Sequence, residues 1–336
     1  MAADVSHNPI TLLHIASYLR QRGIRPAEVF QRADVSPSML AAPGNWVPRD
    51  LCFALGGQAA ALAGEPFFGS KIGHLFELQH LGAWGQAVIS APNIGEACAA
   101  AARGIELLEQ GTDLHFVTLE RQAQLRFKFR GQMAANPLQH LIGTLVILRK
   151  IACLAGYPDA VSVHFSLPYA RGVDALEETH GPRLEFGCEH DAIVIDREIL
   201  DRAIPTFCDG AIPVEPAETA KAVCALIKRN LPYGRNTIEA ISAEQQLSVR
   251  TLQRRLSEWG FSFEEILDDV RRTSAIGYVL AGRHSALEIA FLLGYSDQAH
   301  FARAFKRWTG LSTQAYARAR LSGEAALSTT SSNDAL

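Results

Sequence analysis

The sequence predicts two domains of different fold class. Residues 1–208 form an α+β domain, and residues 217–321 form an all-α domain with two helix-turn-helix motifs joined by a linker helix. The length of 336 residues exceeds that of one ordinary domain. The alternation of apolar and polar residues that is typical of strands is found in the first part of the chain, whereas the last third has only helical periodicity. One helix-turn-helix pattern also occurs twice in that last third.

Composition favours a protein with a sizeable core and no membrane segment. Hydrophobic residues make up 48% of the chain and charged residues 20%. The most apolar stretch, LIGTLVILRKIACLAG, is interrupted by Arg149 and Lys150, and the start, MAADVSHNPI, lacks the pattern of a signal peptide. We therefore expect a cytoplasmic protein with no membrane partner.

The six cysteines are scattered and form no close pair, which argues against both disulfides and a structural zinc site. The segment Cys188–His190, CEH, offers two metal ligands, but the sequence shows no source for two more. We expect no metal site and no cofactor.

The net charge of −3 is unevenly distributed. Residues 217–321 contain 15 Lys and Arg against 10 Asp and Glu, and the rest of the chain contains 17 against 25. A basic C-terminal third on an acidic body is typical of a module that faces a polyanion.

Residues 9 to about 110 predict successive helices. Asn93 and Glu96 form a capping-box pattern at the start of IGEACAAAARGIELLEQ, and Gly111 is expected to end that helix. Strands are predicted at LHFVTLE and AQLRFKFRG, the second with Leu125, Phe127 and Phe129 on one face. An apolar helix from Asn136-Pro137 to about Leu154 follows, and then strands at VSVHFSL and AIVID.

Composition also places the domain boundary and the tail. DGAIPVEP contains Gly and two Pro between ordered-looking segments, which predicts a linker at residues 209–216. Residues 322–336 are small and polar, and we expect a disordered tail there.

An internal repeat lies in the last third. ISAEQQLSVRTLQRRLSEW, beginning at Ile241, aligns with IAFLLGYSDQAHFARAFKRW, beginning at Ile289, after one extra residue in the second turn. Each copy has a short helix, a turn, an N-cap (Ser248 or Asp297) and a longer helix with one apolar stripe. This is the helix-turn-helix pattern, expected at about residues 238–258 and 286–309.

The longer helices have two faces. Phe301, Phe305 and Trp308 lie at positions i, i+4 and i+7, which predicts that they form the core of a small helical unit. The opposite faces carry Arg250, Gln253 and Arg254 in the first copy, and Gln298, His300, Arg303, Lys306 and Arg307 in the second. One such face alone would be an ordinary solvated surface, but two equivalent faces favour a shared partner.

Double-stranded DNA is the partner that these side chains suit. Arg and Gln hydrogen-bond to guanine and adenine edges in the major groove, whereas Arg255, Lys306 and Arg307 suit phosphates. The intervening segment, about Phe263 to Ala281, predicts one helix with Arg271 and Arg272 near its middle. Such a rigid spacer would present two recognition helices to successive major grooves, about 34 Å apart.

The repeat and its linker helix resemble the AraC/XylS family of bacterial transcription regulators. The resemblance covers LSVRTLQRRLSEWGFSFEEILDDVR and ALEIAFLLGYSDQAHFARAFKRWTGLS, or roughly the last 100 residues. It implies that the second helix of each motif enters DNA. The base-facing candidates that it implies are Arg250, Gln253, Arg254, Gln298, Ala299, His300 and Arg303.

Three positions depart from the family pattern. Gln245 stands where a buried Leu is usual, Gln246 where a turn Gly is usual, and Thr313 where a Pro is common. The first two leave the packing of the first short helix in question.

The N-terminal domain resembles the arabinose-binding type of N-terminal domain found in some of these regulators. The resemblance rests on VPRDLCFALGGQAAALAGEPFFGSKIG, LGAWGQAVISAPNIGEACAAAARG and PRLEFGCEHDAIVID. It implies an effector-sensing and dimerising domain, without implying that arabinose is the effector. The effector-binding residues stay unknown: Trp84, His80 and Arg126 suit a pocket, but a lone Trp or His is more often part of ordinary packing.

The sequence therefore predicts a sequence-specific transcription regulator, an activator by family resemblance, that responds to a small molecule. Its partners would be an operator with adjacent major grooves, a second copy bound through the N-terminal domain, and RNA polymerase. One alternative is a DNA-binding regulator without a ligand, controlled by a partner or by abundance. An enzyme is disfavoured because common catalytic motifs are absent, and no cysteine has the local motif of a DNA-repair methyl acceptor.

Overall fold

The computed structural model describes residues 5–41, 46–169, 172, 174–205 and 216–321. The chain divides into two compact units, one of Met1–Val35 with Pro43–Glu215 and the other of Ser36–Ala42 with Pro216–Leu336. The predicted linker, apart from Pro216, and the predicted tail at 322–336 lie outside the described residues. Within the described part of the chain, no helix is both long enough and apolar enough to cross a membrane.

The first unit combines helices, which the sequence predicts from residue 9 onward, with a sheet. Its helices in chain order are α1 (Leu13–Gln21), α2 (Pro26–Arg32), α4 (Arg49–Ala63), α5 (Phe68–Leu75), α6 (Gly82–Ile89), α7 (Ile94–Gly104), α8 (Leu138–Ala152) and α9 (Asp174–His180); α3 (Pro37–Ala41) belongs to the second unit.

Five strands form the main sheet among the described residues of this unit. They are β3 (Thr112–Thr118), β4 (Gln122–Phe129), β5 (Val161–Phe165), β6 (Leu184–Phe186) and β7 (Asp191–Asp196), in the spatial order β3-β4-β7-β5-β6. All neighbours pair antiparallel except β5 and β6. Leu125 and Phe127 are buried on one face of β4, which confirms the predicted alternation. The predicted strands correspond to β3, β4, β5 and β7. The short β6 was not predicted, nor were β1 (Ser6–His7) and β2 (Val47–Pro48), which form a separate antiparallel pair.

One predicted boundary is wrong. The helix expected to continue to Gly111 ends at Gly104, and a 3-10 turn at Ile105–Leu107 follows. A Cβ atom at Gly104 would lie 3.2 Å from Cδ1 of Trp84, so the close approach of this ring favours glycine, a weak helix former. The predicted start is confirmed, since the Asn93 side chain accepts a 2.8 Å hydrogen bond from the Glu96 amide.

Close backbone packing joins α5 and α8. A Cβ atom at Gly69 would lie 1.7 Å from the Gln139 carbonyl oxygen, and one at Gly73 would lie 2.3 Å from that of Gly143. Only glycine therefore fits at these two positions. The contact holds the two helices together beside the cavity described below.

The second unit contains helices and no strand in the part of it that the structure describes. Its elements are α3, α10 (Pro216–Asn230), α11 (Ile238–Glu244), α12 (Val249–Trp259), α13 (Phe263–Ala281), α14 (Ala286–Leu292), α15 (Gln298–Thr309) and α16 (Thr313–Leu321). Helix α13 is the linker helix, with the bounds that the sequence predicts. Helix α3 packs against α10 and α13 and buries Leu40 almost completely. Residues 36–42 thus belong to the second unit, although the sequence predicts them within the domain 1–208.

Both helix-turn-helix motifs have the predicted core. The aligned pairs Leu252 and Phe301, Leu256 and Phe305, and Trp259 and Trp308 are all buried. Phe301 and Phe305 meet edge to face, with ring centroids 5.8 Å apart. Their position at helical spacing on one face explains why the sequence alone identified them.

The two motifs differ in their turns. Gly294 has φ +72° in the second motif, and its counterpart Gln246 in the first has φ +55°. This left-handed conformation is unfavourable for a residue that has a Cβ atom. Next to it, Gln245 is only half-buried, whereas its counterpart Leu293 is fully buried. The first motif thus keeps the fold at both departures from the family pattern.

Candidate nucleic-acid interface and ligand cavity

Helix α12 presents a polar face above its buried stripe. The Ser248 hydroxyl caps the helix by accepting a 3.1 Å hydrogen bond from the Thr251 amide. Arg250, Gln253 and Arg254 are exposed on the face opposite to the core, as predicted. This helix therefore offers three side chains that suit base edges to an approaching partner.

Two arginines of α12 have partners within the protein. Arg254 donates to Glu258 at 2.5 Å, an exposed pair one helical turn apart that solvent screens. Arg255 is half-buried, and its Nη1 lies 3.5 Å from the Thr219 hydroxyl on α10. Arg255, expected to contact phosphate, is thus oriented toward the body of the unit more than the other predicted residues are.

Helix α15 carries the second face. Asp297 caps it by accepting a 2.8 Å hydrogen bond from the His300 amide, and this bond, more than any other contact, lowers the pKa of the Asp297 carboxyl. The His300 ring lies 2.8 Å from the same carboxylate. The predicted residues on this helix are all exposed: Gln298, Ala299, His300, Arg303, Lys306 and Arg307.

The end of α15 is fixed to the linker helix by one carboxylate. Asp268 accepts a 2.6 Å hydrogen bond from Arg307 and a 2.8 Å bond from the indole of Trp308. Arg307 must share its guanidinium between Asp268 and any phosphate. Within the part of the chain that the structure describes, the side chains of Arg303 and Lys306 form no ion pair or hydrogen bond, which leaves both cations available.

Helix α13 is fixed at its N-terminus by a capping box and near its middle by contacts of Arg271. A capping box of Ser262 and Glu265 starts it, with bonds of 2.7 Å and 3.2 Å. Further along, Arg271 donates to the Leu293 carbonyl at 3.1 Å and lies over the ring of Tyr295. The turn of the second motif is therefore tied to the spacer that joins the motifs.

A cavity of about 60 Å³ lies within the first unit, between α5, α8 and the helices around them. Trp84, one of the three side chains considered for a pocket, lines it and donates its indole N–H to the Ala101 carbonyl at 3.0 Å. His80 and Arg126 are not in its lining. The walls are mostly apolar, and the polar groups among them are Thr11, Glu109, Gln139, His140 and Thr144.

Glu109 is the central polar group of this cavity and is almost completely buried. One carboxylate oxygen lies 2.8 Å from His140 Nε2 and accepts a 3.2 Å bond from Thr144; the other accepts a 3.4 Å bond from Thr112. Burial alone would raise the pKa of Glu109, but the charge and hydrogen bond of His140 outweigh it and lower the pKa to about 2. The cavity thus contains a buried carboxylate, a group that can orient a polar ligand.

Sequence reasoning missed Glu109 and His140. They lie 31 residues apart in different elements and belong to no local motif, so only the fold brings them together. The segment CEH does not supply two ligands to one group, because Cys188 is grouped with His164 and Glu185 and not with His190.

The described cysteines lie in environments that suppress thiolate formation. Burial is the main cause of a raised pKa at Cys98, where it reaches about 12, and also at Cys52, Cys153, Cys188 and Cys224. A cysteine nucleophile requires the opposite shift. These five positions therefore do not favour an alkyl-acceptor role.

Comparison with known proteins gives matches over both units. The domain described as "Arabinose-binding domain of AraC transcription regulator, N-term" matches residues 23–204, and a helix-turn-helix domain matches residues 241–319. An "Ornithine utilization regulator" from Pseudomonas aeruginosa is 29% identical over 302 residues, 86% of this chain and 89% of the relative. The "HTH-type transcriptional regulator VirS" from Mycobacterium tuberculosis is 29% identical over 193 residues, 54% of this chain and 57% of that protein. The crystal structure of transcriptional regulator CdpR from Pseudomonas aeruginosa covers 92% of this chain and 98% of its own at 20% identity, with a TM-score of 0.43.

Proposed function

The chain belongs to the AraC family of transcription regulators with an arabinose-binding-type N-terminal domain, and on that premise we propose how its two units divide the work of regulation. The protein is a DNA-binding transcription regulator. The second unit inserts α12 and α15 into adjacent major grooves of an operator. The first unit binds a small-molecule effector in its cavity and pairs two subunits.

The main support for this mode of DNA binding is that α12 and α15 expose equivalent polar surfaces. In each motif a capped helix buries an apolar stripe and exposes Gln and Arg side chains on the other side. Arg250, Gln253 and Arg254 on α12, with Gln298, Ala299, His300 and Arg303 on α15, contact base edges. Lys306, Arg307 and Arg255 contact phosphates, Arg255 with the smallest share because of its half-buried position.

A binding experiment separates the two roles. A preferred operator is first selected from a random DNA pool, and affinities for it and for random DNA are then measured at several salt concentrations. Arg254→Ala and Arg303→Ala each cost about 1–3 kcal/mol on the operator and relax specificity at one position. Lys306→Ala weakens binding to both DNAs and makes the salt dependence shallower.

Lys228→Ala serves as the control for a change in net charge, since Lys228 is exposed on α10, outside both recognition helices. Unchanged operator binding by both Arg254→Ala and Arg303→Ala would refute the base-contact assignment. An equal loss from Lys228→Ala would show that only net charge matters.

The cavity supports the effector role, because apolar walls with a few convergent polar groups are typical of small-ligand sites. A thermal-shift screen tests it with small amino acids, ornithine included because of the relative's name, and with other small polar metabolites. A compound that raises the melting temperature and alters operator affinity supports the role. Loss of that shift in Thr144→Val would place the compound in the cavity.

The alternative is a DNA-binding regulator without a ligand, in which the first unit only pairs subunits. It predicts unchanged melting temperatures across the screen and operator affinity that depends on protein concentration alone. We further propose a cytoplasmic homodimer that activates transcription with RNA polymerase and has no enzymatic activity. A reporter assay with and without the protein determines the sign of regulation.

A further inference from the structure

Three side chains with metal-binding atoms meet in the first unit beside the cavity. They are His7 on β1, Glu109 just after the 3-10 turn at Ile105–Leu107, and His140 on α8. One ligand atom from each lies within 4.8 Å of the others. The centroids of the two imidazole rings are 4.7 Å apart. His7 and Glu109 are almost fully excluded from solvent, and the His140 side chain is 9% exposed.

Ordinary packing does not explain why the imidazole nitrogens of His7 are buried without hydrogen-bond partners. Its side chain is fully buried, and neither Nδ1 nor Nε2 has a hydrogen-bond partner among the described residues. A neutral imidazole always has one N–H donor and one acceptor nitrogen, and a buried polar group without a partner costs about 1–3 kcal/mol. A bound group that pairs with this imidazole would remove that cost, and the side chains around it do not do so.

The backbone holds this cluster in place. His7 and Glu109 face each other across an antiparallel bridge, flanked by hydrogen bonds from Asn8 to Leu108 (2.7 Å) and from Gln110 to Ser6 (3.1 Å). His140 comes from the first turn of α8, which packs closely on α5. Since the ligand atoms come from separate, fixed elements, the cluster is preorganised and does not depend on one mobile loop.

We propose that His7, Glu109 and His140 bind a divalent first-row transition-metal ion, with Zn²⁺ as the simplest occupant. Two imidazoles and one carboxylate form a donor set that such ions accept, and a site with three protein ligands leaves a further position open. Because Glu109 and His140 also line the cavity, that open position faces the cavity. The hydroxyls of Thr144 and Thr112 orient the carboxylate, as outer partners of metal ligands do.

The buried Arg49 guanidinium favours an anionic ligand at the open position. This buried guanidinium donates to the carbonyls of Arg130 (2.7 Å) and Gln132 (2.9 Å), and its charge acts on His7. Glu109 is the one carboxylate in the donor set and Arg49 offsets its charge, so a bound divalent cation would leave the surroundings with an excess of positive charge. We therefore expect the open position to take an anionic donor, such as hydroxide or a ligand carboxylate. The metal site itself does not depend on the effector role proposed for the cavity.

A second cluster provides an internal comparison. His164, Glu185 and Cys188 also bring three ligand atoms within 4.8 Å, but Glu185 is exposed and His164 and Cys188 are only half-buried. Among these three described residues, no buried side-chain atom lacks a partner, since His164 contacts both Ser162 and Glu185. The chemical difference is a sulfur ligand, which spectroscopy distinguishes from a nitrogen and oxygen set.

The test uses the full chain, freed of metal by dialysis against a chelator and titrated with Co²⁺ and then Zn²⁺. We expect one ion per chain. X-ray absorption of the zinc form should show two imidazoles and oxygen at about 2.0–2.1 Å, without sulfur at about 2.3 Å. This measurement requires no variant and therefore does not depend on how a substitution folds.

Variants then assign the ligands. His7→Asn and His140→Asn should each lower the affinity for the metal ion more than about 100-fold. Loss of a residue that only hydrogen-bonds to a metal ligand costs about 10–100-fold, and this is the loss expected for Thr144→Val. His164→Asn should leave affinity unchanged. Failure to retain any ion after titration overturns the proposal. So does a spectrum with sulfur, or a loss of affinity confined to His164→Asn.

Discussion

Ser36 and Asp269 lie 233 residues apart in the sequence, and the Ser36 hydroxyl donates a 2.6 Å hydrogen bond to the Asp269 carboxylate. The same oxygen accepts a 2.9 Å bond from the Ser38 amide, and the other oxygen lies 3.2 Å from Arg272. Ser36 and Asp269 are both buried. A residue of the linker helix therefore caps α3, a helix encoded among the elements of the other unit.

Asp269→Ala tests the contribution of this contact to stability. The change removes the acceptor of two buried hydrogen bonds and leaves Arg272 without its ion pair, so we expect a loss of about 1–3 kcal/mol. Urea denaturation followed by circular dichroism measures it. Glu264→Ala, an exposed change on the same helix, is the control and should stay within about 0.5 kcal/mol. Equal stability of the two variants would contradict the role of Asp269.

Gln246→Gly should stabilise the second unit. The left-handed conformation at φ +55° costs a residue with a Cβ atom about 1–2 kcal/mol, and the extra entropy of glycine offsets about 0.5–1 kcal/mol of that. The expected net gain is up to about 1 kcal/mol, measured as a shift in the urea midpoint. The neighbouring Gln245 has φ −82°, so Gln245→Gly should destabilise instead. The strain assignment is wrong if both substitutions act in the same direction.

Phe305→Ala tests whether Phe305 belongs to the core of the second unit or to its DNA-contacting surface. Phe305 is fully buried and meets Tyr316 edge to face at 5.6 Å, so its loss should cost about 3–5 kcal/mol of stability. Gln298→Ala, on the exposed face of the same helix, should leave stability within about 0.5 kcal/mol. Thermal and urea denaturation compare them. A variant at Phe305 that kept its stability and lost only DNA affinity would overturn the core assignment.

Acid should destabilise the first unit through two histidines. Burial is the main reason that the pKa of His14 and that of His180 are lowered to about 4; His80 and Lys150 add to the effect at His14, and Arg149 adds to it at His180. Both side chains stay neutral in the folded protein, whereas the unfolded chain protonates them near the ordinary pKa of 6.5. The stability that they contribute is therefore complete above pH 6.5 and is lost as the pH falls toward 4.

Each histidine contributes up to about 1.4 kcal/mol per pH unit to this slope. Urea denaturation at pH 7.5, 6.5 and 5.5 measures it. His14→Gln removes one titrating group and should flatten the slope by that amount, whereas His115→Gln, at an exposed position of β3, should not. An unchanged slope in His14→Gln would exclude His14 as a source of acid sensitivity.

The features that the sequence predicted are the local ones. The buried stripe of Phe301, Phe305 and Trp308 follows from spacing within one helix, and the bounds of α13 follow from a cap and an uninterrupted helical period. The longer strands alternate over five or more residues, which is enough to recognise them. The exposed polar faces of α12 and α15 follow from the same periodicity.

The features that the sequence did not predict depend on distant residues. The three-residue strand β6 is too short to show a period and exists through its parallel pairing with β5. The early end of α7 depends on the approach of Trp84 to Gly104. The carboxylate and imidazoles near the cavity come from three parts of the chain, and no spacing rule connects them.

The assignment of α3 to the second unit has a consequence for how the protein divides when it is cut. The chain passes from one unit to the other three times: near residue 36, near residue 42 and before Pro216. A nick between residues 206 and 215 leaves α3 on the N-terminal fragment, while α10 and α13, the helices that it packs against, are on the C-terminal one. The two fragments should therefore co-purify after proteolysis. A recombinant fragment that begins at Pro216 would lack one of its own helices and expose the surface that Leu40 covers.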